Sequence, residues 1–436
     1  MKKIKLIFGV AGLLGVFSMI CLLISSNIMP SLHIPNPAMP EQNAFDRFVK
    51  AGDLLQDEKV IKRITAAQLK GEGKDPLPEN TDALISKNEK AISLVQEGLA
   101  YPYLNPPIRS VKTELPYYAK FREISRLMNL KGRCEARRGD YDSALQSWLD
   151  GMQMGAMIPR GSCIIGMLVG FACEAVSRRP MWRENVEILG VAQTRKAIAR
   201  LEAIQAQRVS YAETLQQEKW TLQASLMEIF DRAETFKDED EAKSKKSDGK
   251  KTSNNEPNEK DERMMYGVLW TIIGKGRVLN NVTSYMDQLT ENARKPYALH
   301  LPTPKLPFDP ISRILLPVFD QTQVRAVNSE TQTLLLLVTL ALHAYHEEKH
   351  TYPALLEELV PAYLKKLPND PFALRGTFQY RNKGDGFLLY SVGPDSKDDG
   401  GKPIDDPTKA KKSNPQLRYY VEAESKGDVV VGVNTY

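Results

Sequence analysis

Residues 334–401 constrain the fold more than any other stretch of this 436-residue chain. They begin with the uncharged run LLLLVTLAL and pass through HAYHEEKH to Tyr352-Pro353, so a helix predicted over residues 321–349 is apolar in its second half and stops at a proline. A short amphipathic helix is predicted at residues 354–364, followed by the turn LPNDP at 367–371. Strands are predicted at 377–381, 386–391, 416–422 and 428–433, and the loop VGPDSKDDGGKPIDDP joins the second to the third.

Tyr352-Pro353, LKKLPNDP at residues 364–371, Phe378-Gln379-Tyr380, YSVGPD at 390–395 and Asp398 to Gly401 follow in that order. The order resembles the globular half of the major pseudopilins of type II secretion, the GspG-like family. The resemblance covers residues 311–436 and implies an α+β domain with a small antiparallel sheet. It also implies calcium as a cofactor, since that family binds the ion in the corresponding loop through Asp side chains and backbone carbonyls. Carried onto this chain, the ligands would be Asp395, Asp398 or Asp399, and Asp405 or Asp406, with a carbonyl near Val392. Clustered carboxylates on a Gly-containing turn suit calcium chemically. The alternative is an Asp/Gly turn tied by its own Asx-type hydrogen bonds. The N-terminus departs from that family, because Gly9 and Gly12 are followed by no glutamate of the kind that begins a mature pseudopilin helix.

Lys2, Lys3 and Lys5 precede an uncharged run at residues 6–28, about the length of a bilayer-spanning helix. The positive-inside bias predicts a single-pass anchor at residues 1–29 in a bacterial inner membrane, with a cytoplasmic N-terminus, an extracytoplasmic body and membrane lipid as a partner. A cleaved signal peptide would have a shorter apolar region ending in small residues, and a lipoprotein site at Cys21 would not have Ile20 before it.

The expected fold class is therefore α+β multidomain: a transmembrane helix, a mostly α-helical body and a pseudopilin-like domain. Residues 30–236 are predicted to be a helical extracytoplasmic region, with apolar positions at helical spacing from Phe45 to Ile64 and a further helix over residues 81–100. A helical hairpin is predicted at residues 117–158, turning at Gly139-Asp140. Its junction, ARRGDYDSALQSWLDGM, resembles that of a tetratricopeptide repeat, although no second copy follows at the repeat's offset. The small, apolar residues 163–175 predict a buried core helix, with Cys163 and Cys173 as buried thiols or a bridge. Residues 237–263 mix both charge signs with almost no apolar side chain and are predicted to be a disordered insertion. Residues 264–310 form a helical region and a Pro-rich linker.

The net charge of +5 is small for this length, and no nucleic-acid motif accompanies it. His343, His346 and His350 share a helix face, but the outer two stand roughly 10 Å apart along the axis, too far to hold one ion together. Neither a GxSxG nor a phosphate-binding loop occurs. These readings favour a non-catalytic envelope protein, secretion-associated or an interaction scaffold, whose partners are other envelope proteins. A helical-repeat scaffold unrelated to secretion and an extracytoplasmic hydrolase are the alternatives.

Overall fold

In the computed structural model the leucine run is the middle of a long helix that the rest of the molecule encloses. The structure describes residues 28–70, 77–182, 189–244, 274–316, 319–411 and 414–435. It is mostly helical, with one small antiparallel sheet.

The chain enters through α1 (Ala44–Asp53) and α2 (Glu58–Lys70), separated where Asp57 takes a left-handed backbone. The helix expected over residues 81–100 is two, α3 (Thr81–Lys87) and α4 (Glu89–Gly98). Asn88 makes the break: its side chain accepts from Gln56 N at 2.8 Å and donates to Leu84 O at 2.9 Å. The predicted hairpin is α5 (Tyr117–Arg137) and α6 (Tyr141–Met157), with Asp140 capping α6 through Ser143 N. Next comes α7 (Ile164–Pro180), the expected core helix. Its small residues have a physical reason. A Cβ on Gly155 would lie 2.8 Å from Gly170 O, and one on Gly170 would lie 2.6 Å from Gly155 O, so only glycines allow α6 and α7 to cross this closely. Cys134, Cys163 and Cys173 are buried free thiols.

Two helices follow, α8 (Val191–Ala206) and α9 (Tyr211–Ser244), the second running into the charged stretch expected to be disordered; the remainder of that stretch lies outside the described residues. Then come α10 (Lys275–Ala293), the proline-rich passage and α11 (Pro310–Leu315).

The long helix is α12 (Asp320–Lys349). Every residue from Thr331 to Ala344 is buried, and within it 334–342 is apolar on all sides but for Thr339, so water would meet apolar surface on any free face. It packs against α8, α7 and the C-terminal sheet, so a single apolar cluster joins Trp148, Ile198 and Leu201 of the body to Leu340 and Leu342 of α12 and Leu389 and Val429 of the sheet. Each fully buried leucine of the run contributes about 1.5–3 kcal/mol of transfer energy. Polar side chains flank the apolar contact. Arg208 donates to Glu174 at 2.5 Å and to Gln205 at 2.9 Å, Gln205 donates to Glu330 of α12 at 2.8 Å, and buried Arg178 donates to Thr333 of α12 at 3.1 Å.

The sheet has the order β1 (Gln379–Asn382), β2 (Phe387–Ser391), β3 (Val429–Val430), with Gln379 opposite Tyr390 and Tyr390 opposite Val430. The strand expected at 416–422 is a 3-10 turn, Pro415–Tyr419, since Pro415 has no N–H for a ladder. The expected helix at 354–364 is reduced to Leu356–Leu359 ahead of Pro361.

One part of the expected architecture is corrected. Among the described residues no helix is long and apolar enough to cross a membrane, which overturns the fold class with a transmembrane helix and the single-pass inner-membrane placement. In α12 the apolar stretch is too short to span, with Arg325 and Glu330 before it and Glu347 and Glu348 after it. The anchor predicted at residues 1–29 lies outside the described residues except for its last two, Ile28 and Met29.

A shared core predicts shared unfolding. Leu340→Ala should destabilise the chain by about 2–5 kcal/mol and lower a single melting transition measured on body and sheet together. Two separated transitions would show that α12 does not join them.

Candidate functional site

The aspartate loop begins where β2 ends. Gly393 has φ 72°, and a Cβ there would meet Gly427 O at 2.3 Å, so the turn requires glycine. Val392 is buried, and its N–H donates to Asp370 Oδ2 at 2.9 Å. Asp370 also accepts from Ser391 Oγ at 2.7 Å and from Phe372 N at 3.0 Å, while burial pushes its carboxyl above the usual range. Asp395 accepts from Lys397 N at 3.3 Å, and Asp398 accepts from Tyr390 Oη at 2.9 Å and Gly400 N at 2.8 Å.

Asp428, just before β3, accepts from Asp399 N at 3.3 Å and Gly401 N at 2.7 Å. The other two predicted ligands face elsewhere: Asp405 forms a two-pronged ion pair with Arg418 at 2.5 and 2.7 Å, and Asp406 caps the turn Pro407–Lys409 through Thr408 N at 3.0 Å. The structure thus gathers Asp398 and Asp399 around Asp428 and leaves Asp405 and Asp406 in separate structural roles. Among the described residues no group of three or more His, Cys, Asp or Glu side chains is arranged to hold a metal ion. The six predicted residues do not form a calcium cage as they stand; the loop is closed by its own hydrogen bonds.

The histidines have individual structural roles. His343 Nε2 bonds Leu189 O at 2.9 Å, His346 stacks on Tyr352, and His350 ends α12 in a left-handed conformation.

A second site lies in the helical body. The helices α6 and α8, the residues just past their ends and the segment 99–103 after α4 surround a concavity of about 490 Å³. Leu99, Ala156, Met157, Ala203 and Ile204 supply its apolar surface, and Tyr101 and Tyr103 supply rings. Arg200 is fixed in the wall: it donates to Asp150 Oδ1 at 2.7 Å and to Gln153 Oε1 at 2.8 Å. Asp150 is almost fully buried and also accepts from Gln96 at 3.1 Å and Gln146 at 2.8 Å. Burial raises its carboxyl against the lowering effect of Arg200. Arg160 differs from Arg200. It is exposed, donates to the carbonyl of Gln207 at 2.8 Å, and has no carboxylate partner among the described residues. No carboxylate lines the concavity.

Compared with known proteins, the chain matches no family model, no curated protein and no solved structure.

Four residues central to these sites carry no local signal of it: Asp370, Asp428, Arg160 and Arg200. Asp370 stands in the LPNDP turn, and a buried carboxylate is a regular way to satisfy the N–H groups of such a turn. Asp428 is far from residues 398–401 in sequence, and the pairing of β2 with β3, together with the bridge in which its N–H donates to Lys402 O at 2.8 Å, brings it to them.

Burial and the like charges of Asp398 and Asp399 hold Asp428 up to about 6, outweighing its two N–H donors. A raised carboxyl contributes stability that is fully present below its ordinary value near 3.8 and is lost as pH rises through about 6. Carboxyl NMR should therefore give an Asp428 midpoint near 6, lower when Asp398→Asn and Asp399→Asn are combined. Because the loop closes itself, the midpoint should not move in about 1 mM calcium. A calcium-dependent fall of the midpoint would mean that the loop rearranges to hold the ion.

Proposed function

We propose that this protein is a non-catalytic interaction scaffold that holds a segment of a partner protein in the groove between α6, α8 and the segment after α4. The single observation that carries this reading is the groove itself: a largely apolar concavity with its walls set by the Asp150–Arg200 pair and with one cation, Arg160, that has no carboxylate partner among the described residues. Pre-set walls of this kind lower the ordering cost of binding. The groups that line it are apolar anchors, two tyrosines, two arginines and hydrogen-bonding amides, with no carboxylate, histidine, serine or cysteine to activate water or attack a substrate. The C-terminal module, which resembles the pseudopilin globular half in its order of helix, proline turn, sheet and Asp/Gly loop, serves in this reading to close α12 into the body. It thereby supports α8, one wall of the groove.

A photo-crosslinking residue at Met157 tests the proposal in cells that make the full chain. It should yield a discrete protein adduct that disappears in Ala203→Arg, a variant that fills the groove, while the melting temperature is kept. The same crosslinker at Phe308, exposed beside α10, serves as control. Equal labelling from both positions, or labelling indifferent to Ala203→Arg, would contradict the proposal.

A further inference from the structure

The charge pattern of the groove specifies more than its shape. We propose that the segment it takes is an extended peptide bearing an Asp or Glu side chain that pairs with Arg160, next to an apolar side chain seated on Met157 and Ile204. This inference rests on the scaffold reading above and names the chemistry of its ligand.

Three observations lead to it. First, the cations around the groove are not equivalent. Arg200 is neutralised by Asp150, and Arg47 at the rim pairs with Glu97 at 3.0 Å while lying over Tyr101. Lys196, farther along α8, is 3.7 Å from Asp142. Arg160 alone of these four has a single hydrogen-bond acceptor, a neutral carbonyl, and no carboxylate among the described residues. Second, that carbonyl belongs to Gln207, just past the end of α8, so the guanidinium is held at the groove wall. A guanidinium presents five N–H donors in a planar fork, which leaves a pair available to grip a carboxylate two-pronged. Third, no acid lines the concavity, so an arriving carboxylate meets no repulsion, whereas an arriving Lys or Arg would find no partner and would face Arg160. The amides of Gln153 and Gln207 and the ring hydroxyl of Tyr101 provide further sites for an extended backbone beside the apolar floor.

The test uses the full chain and a random octapeptide library displayed at the N-terminus of a phage coat protein, so that no free C-terminus is offered. Peptides selected on the wild type should be enriched in Asp or Glu adjacent to Leu, Ile or Phe. A selected peptide, resynthesised as the amide, should bind roughly tenfold more weakly when its acid is changed to the neutral amide, as expected for loss of a charge-assisted pair. Arg160→Glu should abolish the preference and Arg160→Lys, which keeps the charge but loses the two-pronged fork, should weaken it, with both variants melting like the wild type.

Selected peptides that compete with a Met157 crosslink yet show no acidic preference, or keep it in Arg160→Glu, would overturn this inference and leave the groove reading standing. Peptides that never compete at Met157 would overturn both. Binding that requires a free C-terminal carboxylate would also overturn it, since the ligand would then be a chain end and not an internal acidic segment.

Discussion

The enclosure of one helix governs the rest of this molecule. A stretch of helix that is apolar around its whole circumference has no face to give to water, so it must be covered on every side or leave water altogether. Between Leu334 and Leu342, where Thr339 is the one polar side chain, the chain takes the first course. Covering a cylinder takes several elements, and here they come from both before and after α12 in the sequence: α7 and α8 before it, the Leu356–Leu359 turn and the sheet after it. The polar chain Glu174–Arg208–Gln205–Glu330 and the Arg178–Thr333 bond flank that contact and fix how α12 meets the body. Pairs of this kind add little net stability, but they penalise any slip that would strand a buried charge.

How much of this could be read from the chain differs from element to element. The hairpin of α5 and α6 and the core helix α7 were legible because apolar spacing, Gly139-Asp140 and a run of small residues are local signals. The small antiparallel pair at β1 and β2 was legible for the same reason. The break at Asn88 was not, because it depends on Gln56, a residue remote in sequence. Pattern in the aspartate loop marked an acidic cluster but could not say which carboxylates meet. Asp405 is drawn off by Arg418 and Asp406 by Thr408, while Asp428 arrives through strand pairing. The groove was invisible in sequence, for it is made by the spacing of α6, α8 and the segment after α4, and its distinguishing residue, Arg160, is an ordinary arginine after a helix end.

The functional reading depends on the same enclosure. Ala203, Ile204 and Arg200 of α8 face the groove, while Ala197, Ile198 and Leu201 of the same helix belong to the core that contains α12. A binding wall one helix thick is as rigid as what stands behind it. In the scaffold reading proposed above, the C-terminal module bears on binding without touching the ligand, by keeping α12 in place against α8.

Native-state hydrogen exchange tests this account most directly, comparing amides of α6, α8, α12 and β2 across low denaturant. If α12 is the shared spine, the slowest amides of all four elements converge on one global opening free energy, and α8 is no less protected than β2. If β2 and α12 instead open in a separate, lower-energy step that leaves α6 and α8 protected, the module is an appendage. The groove would then owe its shape to the helical body alone.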